Sequence, residues 1–178
     1  MREVVLFIAM SLDGYIADSK GDVGWLVGQG DNSENPDSYS EFVKDVDTII
    51  MGWNTYHQVV TELSPDEWVY DGFTTYVITH NEAYSKEQIV FTDENPVKLV
   101  DSLRERSGKN IWICGGANIV QQLMSADRID RYHISIIPTL LGSGIRLFCG
   151  HLKEQKLTLI SERNYDGIIE LVYKKRIS

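Results

Sequence analysis

Ile111-Trp112-Ile113-Cys114-Gly115-Gly116-Ala117-Asn118-Ile119-Val120 is the stretch on which the fold turns. The run Ile111 to Cys114 is continuously apolar, as expected of a strand buried on both faces. Two glycines follow at once. A helix then begins, with Ile119, Val120, Leu123 and Met124 on its buried side. A glycine pair between a buried strand and a helix start lets a phosphate approach the backbone closely. An ordinary packing turn satisfies the same pattern, and the spacing is not the GxGxxG fingerprint.

The same strand–glycine–helix order recurs upstream. Thr48-Ile49-Ile50-Met51 reads as a buried strand ending at Gly52, and Asn54 is placed to cap a short helix in which Tyr56 and Val60 share a face. Free amide groups at that turn, with Thr55 among them, suit an anion. Val4 to Met10 is another apolar run. It is far short of the roughly 20 residues of a membrane span and lacks a cleavage site, so it reads as a strand. Ser11-Leu12-Asp13-Gly14 is a turn in which Asp13 bonds its own backbone, and Tyr15-Ile16-Ala17 follows.

A Gly/Asp/Asn/Ser-rich loop is expected from Gly28 to Ser38. Ser38-Tyr39-Ser40-Glu41 has the form of a capping box with Ser38 as cap, and Tyr39, Phe42, Val43 and Val46 form one apolar helix face. Thr74 to Thr79 and Ile89 to Phe91 read as strands. Asn95-Pro96 opens a helix that buries Leu99 and Leu103. Arg131 to Pro138, Lys156 to Ser161 and Ile168 to Lys175 are expected to be antiparallel strands. Strand–helix alternation followed by strands predicts an α/β fold, a central mostly parallel sheet with antiparallel C-terminal strands. At 178 residues, one domain over 1–178 is expected.

Seventeen Lys and Arg stand against 26 Asp and Glu, a net charge of −9. That balance argues against nucleic acid or an anionic membrane as partner, since either needs a basic footprint. Cys114 and Cys149 sit beside apolar residues and read as buried free thiols in a cytoplasmic setting. His57, His80, His133 and His151 show no metal-ligand spacing, so no metal is expected. Neither a GxSxG elbow nor a P-loop is present. Paired carboxylates such as Asp45/Asp47 and Asp127/Asp130 read as solvated faces, and Gly142-Ser143-Gly144 as a turn or bulge.

Ligands of open α/β sheets sit beyond the carboxyl ends of the strands. Taken with that rule, Ala9-Met10-Ser11-Leu12-Asp13-Gly14-Tyr15-Ile16-Ala17, Ile50-Met51-Gly52-Trp53-Asn54-Thr55-Tyr56 and Ile113-Cys114-Gly115-Gly116-Ala117-Asn118 resemble the dihydrofolate reductase superfamily. The stretch from Asp130 to Gly144 is similar to the reductase domain of riboflavin biosynthesis and its stand-alone bacterial relatives.

The resemblance implies a three-layer dihydrofolate reductase-like fold, with helices on both faces of the sheet. It implies an oxidoreductase that uses NADPH, NADH remaining open, to reduce a small heterocycle. The nearest activity is that of a 5-amino-6-(5-phosphoribosylamino)uracil reductase; a dihydrofolate or pterin reductase and a non-catalytic dinucleotide-binding module are the alternatives. By the same resemblance Gly52 and Thr55 hold cofactor phosphates, and Gly115 and Gly116, joined by a cis peptide, lie beside the nicotinamide. Ala117, Asn118, Ile119 and Val120 meet the pyrophosphate. Ala9, Ile16 and Ala17 touch the nicotinamide, and Thr79 and His80 lie near the adenosine ribose. Met10, Trp25, Tyr39 and Phe42 line the substrate.

Two departures stand out. Many relatives carry Arg after the glycine matching Gly52, where it pairs with the 2′-phosphate; this chain has Trp53, whose indole can stack on adenine. Dihydrofolate reductases proper carry a buried carboxylate in the helix before the IMG strand. Asp37 is the nearest candidate here and is out of register, while Glu41 is explained by capping. The alternating residues of Arg131 to Pro138 and the apolar last strand predict a homodimer through the C-terminal portion.

Overall fold

Residues 1–30, 37–150 and 153–176 are described by a computed structural model of the chain. In chain order the elements are β1 (Val4–Ser11), β2 (Tyr15–Ala17), α1 (Ser38–Val43), β3 (Val46–Gly52), α2 (Trp53–Gln58), β4 (Thr74–Ile78), β5 (Ile89–Thr92), α3 (Pro96–Arg104), β6 (Asn110–Gly115), α4 (Ala117–Ser125), β7 (Arg131–Ile137), β8 (Ile145–Arg146), β9 (Leu157–Tyr165) and β10 (Ile168–Lys175). A π-helical segment, Val59–Leu63, prolongs α2. Among the described residues no helix is long and apolar enough to cross a membrane.

The apolar runs form the middle of an eight-stranded sheet of order β5-β4-β3-β6-β1-β7-β10-β9. The strands from β5 to β7 are parallel. β10 pairs antiparallel with β7, and β9 with β10. β7 therefore belongs to the parallel set, where an antiparallel strand was expected. The crossover through α4 delivers it alongside β1 in the same direction, and only the last two strands return by a tight hairpin.

Alternate residues of each strand point to opposite faces, and two cores result. On one face Leu6, Ile50, Ile111 and Ile113 meet Leu99 and Leu103 of α3 and Ile119, Val120 and Leu123 of α4. On the other, Ile49, Met51, Val77 and Trp112 meet Tyr56 of α2, Phe42 and Val43 of α1, and Trp68 and Tyr70. Leu123 is fully buried, so truncation to alanine costs about 2–5 kcal/mol.

Several local expectations are corrected. Asp37, not Ser38, caps α1: its side chain accepts from the Ser40 amide at 3.0 Å. Ser38 is buried instead, because its hydroxyl has a partner in the sheet. Val46 belongs to β3, where it pairs with Asn110, and not to the helix face. Gly52 is the cap residue of α2, with Asn54 inside the helix. Cys149 is exposed and lies against the Gln121 amide at 2.7 Å. Asp13 bonds its own backbone as expected, and it also accepts from the Leu141 and Gly142 amides at 3.1 and 2.7 Å, so it ties the first turn to a distant loop. β9 runs on to Tyr165. Of the loop expected from Gly28 to Ser38, residues 31–36 lie outside the described residues.

Candidate cofactor and substrate site

Two chain reversals meet at the carboxyl ends of β3 and β6. Gly52 ends β3 and starts α2; Gly116 ends the β6 turn and starts α4. The Gly115–Gly116 peptide is cis, as the resemblance implied. A Cβ added to Gly52 would lie 3.3 Å from Ile119 Cδ1 and 3.9 Å from the Gly116 nitrogen. Added to Gly115 or to Gly116, it would lie 3.6 Å from Thr55 Oγ1. The two loops thus border a single space, with backbone on one side and a hydroxyl on the other. Amides at the first turn of a helix lack internal partners and carry partial positive charge. Ala117 and Asn118 occupy those positions in α4.

Ile119 borders this space through its Cδ1, beside Gly52, while Val120 lies behind it. Both side chains are buried in the core, and both amides already bond Gly116 O, at 3.1 and 3.2 Å. Thr79 ends the strand beside Gly52, where its hydroxyl accepts from the Asn81 amide at 2.9 Å; His80 next to it is exposed. Trp53 leans on Tyr56, His57 and Phe91 with ring centroids 5.7, 5.9 and 6.2 Å away. It forms the wall of the second core near the β4 and β5 ends.

The substrate-side residues divide between the two faces of the sheet. Phe42 stacks on Phe7 at 4.3 Å, and Tyr39 meets Phe7 edge-on at 6.3 Å. Ala9 follows Phe7 on this face, one pleat closer to the strand end. Met10 points the other way, into an apolar cavity of about 350 Å³ with Ile134, Ile136, Leu171 and Tyr173. Ile16 packs on the same opposite side, and Ala17 is buried in the β2–β8 ribbon. Met10 is therefore not brought together with Tyr39 and Phe42. Trp25 bonds the Asp22 carbonyl of its own loop at 3.1 Å. That loop is pinned to α2 by Gln58 on Gly21 O and to the β9–β10 turn by the Gln29 amide on Asp166 O.

Asp37 is exposed, and hydrogen bonds from Ser40 hold its carboxyl below the ordinary range. A proton donor needs the opposite environment. Burial pushes the Cys114 thiol up to about 11, although the Tyr70 hydroxyl at 3.6 Å works against that.

Sequence reasoning overlooked Phe7, His133 and Glu170 on the α1 face. A charge inside the apolar run Ile168-Ile169-Glu170-Leu171-Val172 was the available signal. Glu170 is 3% exposed.

The family model of the RibD C-terminal domain matches residues 2–169. The chain belongs to the RibD C-terminal domain family. Among its relatives, the uncharacterized protein YwjB of Bacillus subtilis strain 168 is 39% identical over 97% of both chains. The riboflavin biosynthesis protein RibD of Haemophilus influenzae is 24% identical over 84% of this chain and half of its own length. A crystal structure from Shewanella sp. PV-4, provisionally named a riboflavin biosynthesis protein, superposes with a TM-score of 0.83 at 26% identity, covering 98% of this chain and 99% of that one. The RibD reductase fold accounts for the mostly parallel sheet and its antiparallel C-terminal strands.

Proposed function

We infer that this chain is an NADPH-dependent reductase of a small heterocycle, of the type of a 5-amino-6-(5-phosphoribosylamino)uracil reductase. One observation carries the reading: Gly52 and Thr55 close on Gly115 and Gly116 at the start of α4, leaving a cradle that side chains would fill. Backbone amides and a hydroxyl suit a diphosphate. Family membership supports the same class of activity.

In this reading Ala117 and Asn118 amides and Thr55 hold the diphosphate, and Trp53 stacks on the adenine. His80 and Asn81 lie where a 2′-phosphate needs partners. Ala9 and the glycine pair border the nicotinamide, whose reduced form supplies a hydride when bound. Phe7, Tyr39 and Phe42 then orient the acceptor ring. Positioning of this kind is worth several kcal/mol of barrier by itself. The exposed Asp37 argues against a dihydrofolate reductase mechanism built on a helix carboxylate. The edge of β9, unpaired among the described residues, supports a homodimer. It is nine residues long and carries Leu159 and Ile160 at 47% and 56% exposure.

Thermal melting with NADPH and with NADH tests the binding half, since a ligand of the folded form raises stability by RT ln(1 + [L]/Kd). NADPH is expected to raise the melting point more than NADH. No shift with either at millimolar concentration would overturn the reading. Substrate-dependent oxidation of NADPH across pyrimidines and pterins tests turnover; binding without any oxidation would favour a non-catalytic module.

A further inference from the structure

Glu170 is a buried carboxylate on the last strand but one of the sheet. On β10 it pairs with Ser135 of β7, and Ser135 pairs with Ala9 of β1. Residues in register across neighbouring strands share a face, so Glu170 lies two strands from Ala9, roughly 10 Å away, on the α1 side. One carboxylate oxygen is fully engaged. Oε1 accepts from Ser38 Oγ at 2.6 Å, Tyr165 OH at 2.9 Å and Ser135 Oγ at 3.4 Å. The other, Oε2, is buried and has no hydrogen-bond partner; it faces His133 Nε2 at 3.7 Å, which is buried and lacks one too. His133 in turn meets Phe7 edge-on at 4.5 Å and stands 6.1 Å from Phe42. The imidazole therefore joins the carboxylate to the aromatic cluster of Phe7 and Phe42.

A clamp between α1 and the sheet needs only Oε1. Burying Oε2 and an imidazole nitrogen face to face at 3.7 Å, too far apart for a hydrogen bond, costs free energy that a purely structural contact would not require. We propose that His133 and Glu170 are the proton-supplying pair of this site, with His133 as the catalytic residue and Glu170 as the positioning residue that holds the imidazole in place. The proposal rests on the reductase reading above.

The step balances as follows. A C=N carbon of the substrate takes the hydride from the reduced dinucleotide, and the π pair moves onto the nitrogen. The His133 imidazolium breaks one N–H bond, the substrate nitrogen gains that proton, and neutral His133 recovers a proton from solvent. The substrate class is thus a heterocycle, or an imine attached to one, that offers a basic nitrogen to the His133 ring. Charged and titratable groups around the pair are Tyr165 and Arg163 on β9 and Tyr39 and Glu41 on α1; Arg163 is itself paired with Glu41 at 2.7 Å.

Nitrogen-15 spectra of the histidine side chains in the full chain, without cofactor, read which ring nitrogens carry protons. The midpoint of His133 titration followed in these spectra is expected to be lower in E170Q than in the wild type, because the facing carboxylate favours the imidazolium. S38A removes a hydrogen bond and keeps the charge, so its His133 is expected to match the wild type. The same midpoint in E170Q as in the wild type overturns the pair. In turnover, H133Q is expected to lower kcat by about 100-fold or more while NADPH binding stays within about twofold. An unchanged kcat also overturns it. Absence of NADPH binding by the wild type defeats the reductase reading instead, and leaves the spectra to report on the pair.

Discussion

Thr55 Oγ1 lies 3.6 Å from the point where a Cβ on Gly115 would sit, and 3.6 Å from the corresponding point on Gly116. A side chain from the start of α2 and a backbone turn from the end of β6 thus face each other across a gap of about one atom. The proposed cofactor chemistry depends on that gap remaining open.

Gly116→Ala tests it most simply. Gly116 has φ −84°, a value open to any residue, and the added methyl would make only ordinary contact. The variant is expected to melt within a few degrees of the wild type and to bind NADPH at least tenfold more weakly. Calorimetric titration gives the second number; unchanged affinity would show that the diphosphate lies elsewhere.

Thr55→Val removes the hydroxyl and keeps the shape. A hydrogen bond to a charged group is worth about 1.5–3 kcal/mol, so NADPH Kd is expected to rise about tenfold or more. Equal affinity by fluorescence titration would remove Thr55 from the phosphate site.

Glu170 predicts a pH dependence of stability. Burial pushes its carboxyl up, but His133, the Ser38 and Tyr165 hydroxyls and the His133 charge outweigh this and hold it at about 2. In the unfolded chain a glutamate titrates near 4.3. The depressed native value means a contribution fully present above about pH 5 and lost as pH falls from about 4.5 towards 2. Denaturant unfolding between pH 7 and pH 3 is expected to show wild-type stability falling faster than that of E170Q. Parallel curves would contradict it.

The edge of β9 gives an assembly test. Replacing exposed Leu159 and Ile160 together with lysine is expected to convert a dimer into a monomer by light scattering at micromolar concentration, with the melting curve otherwise preserved. Lysines on an edge block strand pairing. A wild-type monomer would refute the interface.

Gly144→Ala probes the ribbon beside the first strand. Gly144 has φ +143°, and a Cβ there would overlap the carbonyl oxygen of Ala17. Backbone must move, so a loss of about 2–4 kcal/mol is expected from chemical denaturation. A change under 0.5 kcal/mol would show that the β2–β8 pairing yields easily.

The sheet was legible in the chain itself because its signals are local. Apolar runs at Val4, Thr48, Thr74 and Ile111 mark strands, Asn95-Pro96 starts a helix, and glycines at 52, 115 and 116 mark the reversals; each depends on residues a few positions apart. The partners across space were not legible. Ser38 looks like a helix cap because the sequence displays Glu41 three residues on, whereas Arg163 of β9 takes Glu41 and Glu170 of β10 takes Ser38. Met10 reads as a neighbour of Tyr39 and Phe42 until the pleat turns it to the opposite face. Period and turn chemistry decide where strands and helices lie, while the pairing of residues 132 positions apart is decided only when β10 folds back beside β7, since a hydrogen bond between them has no trace in local order.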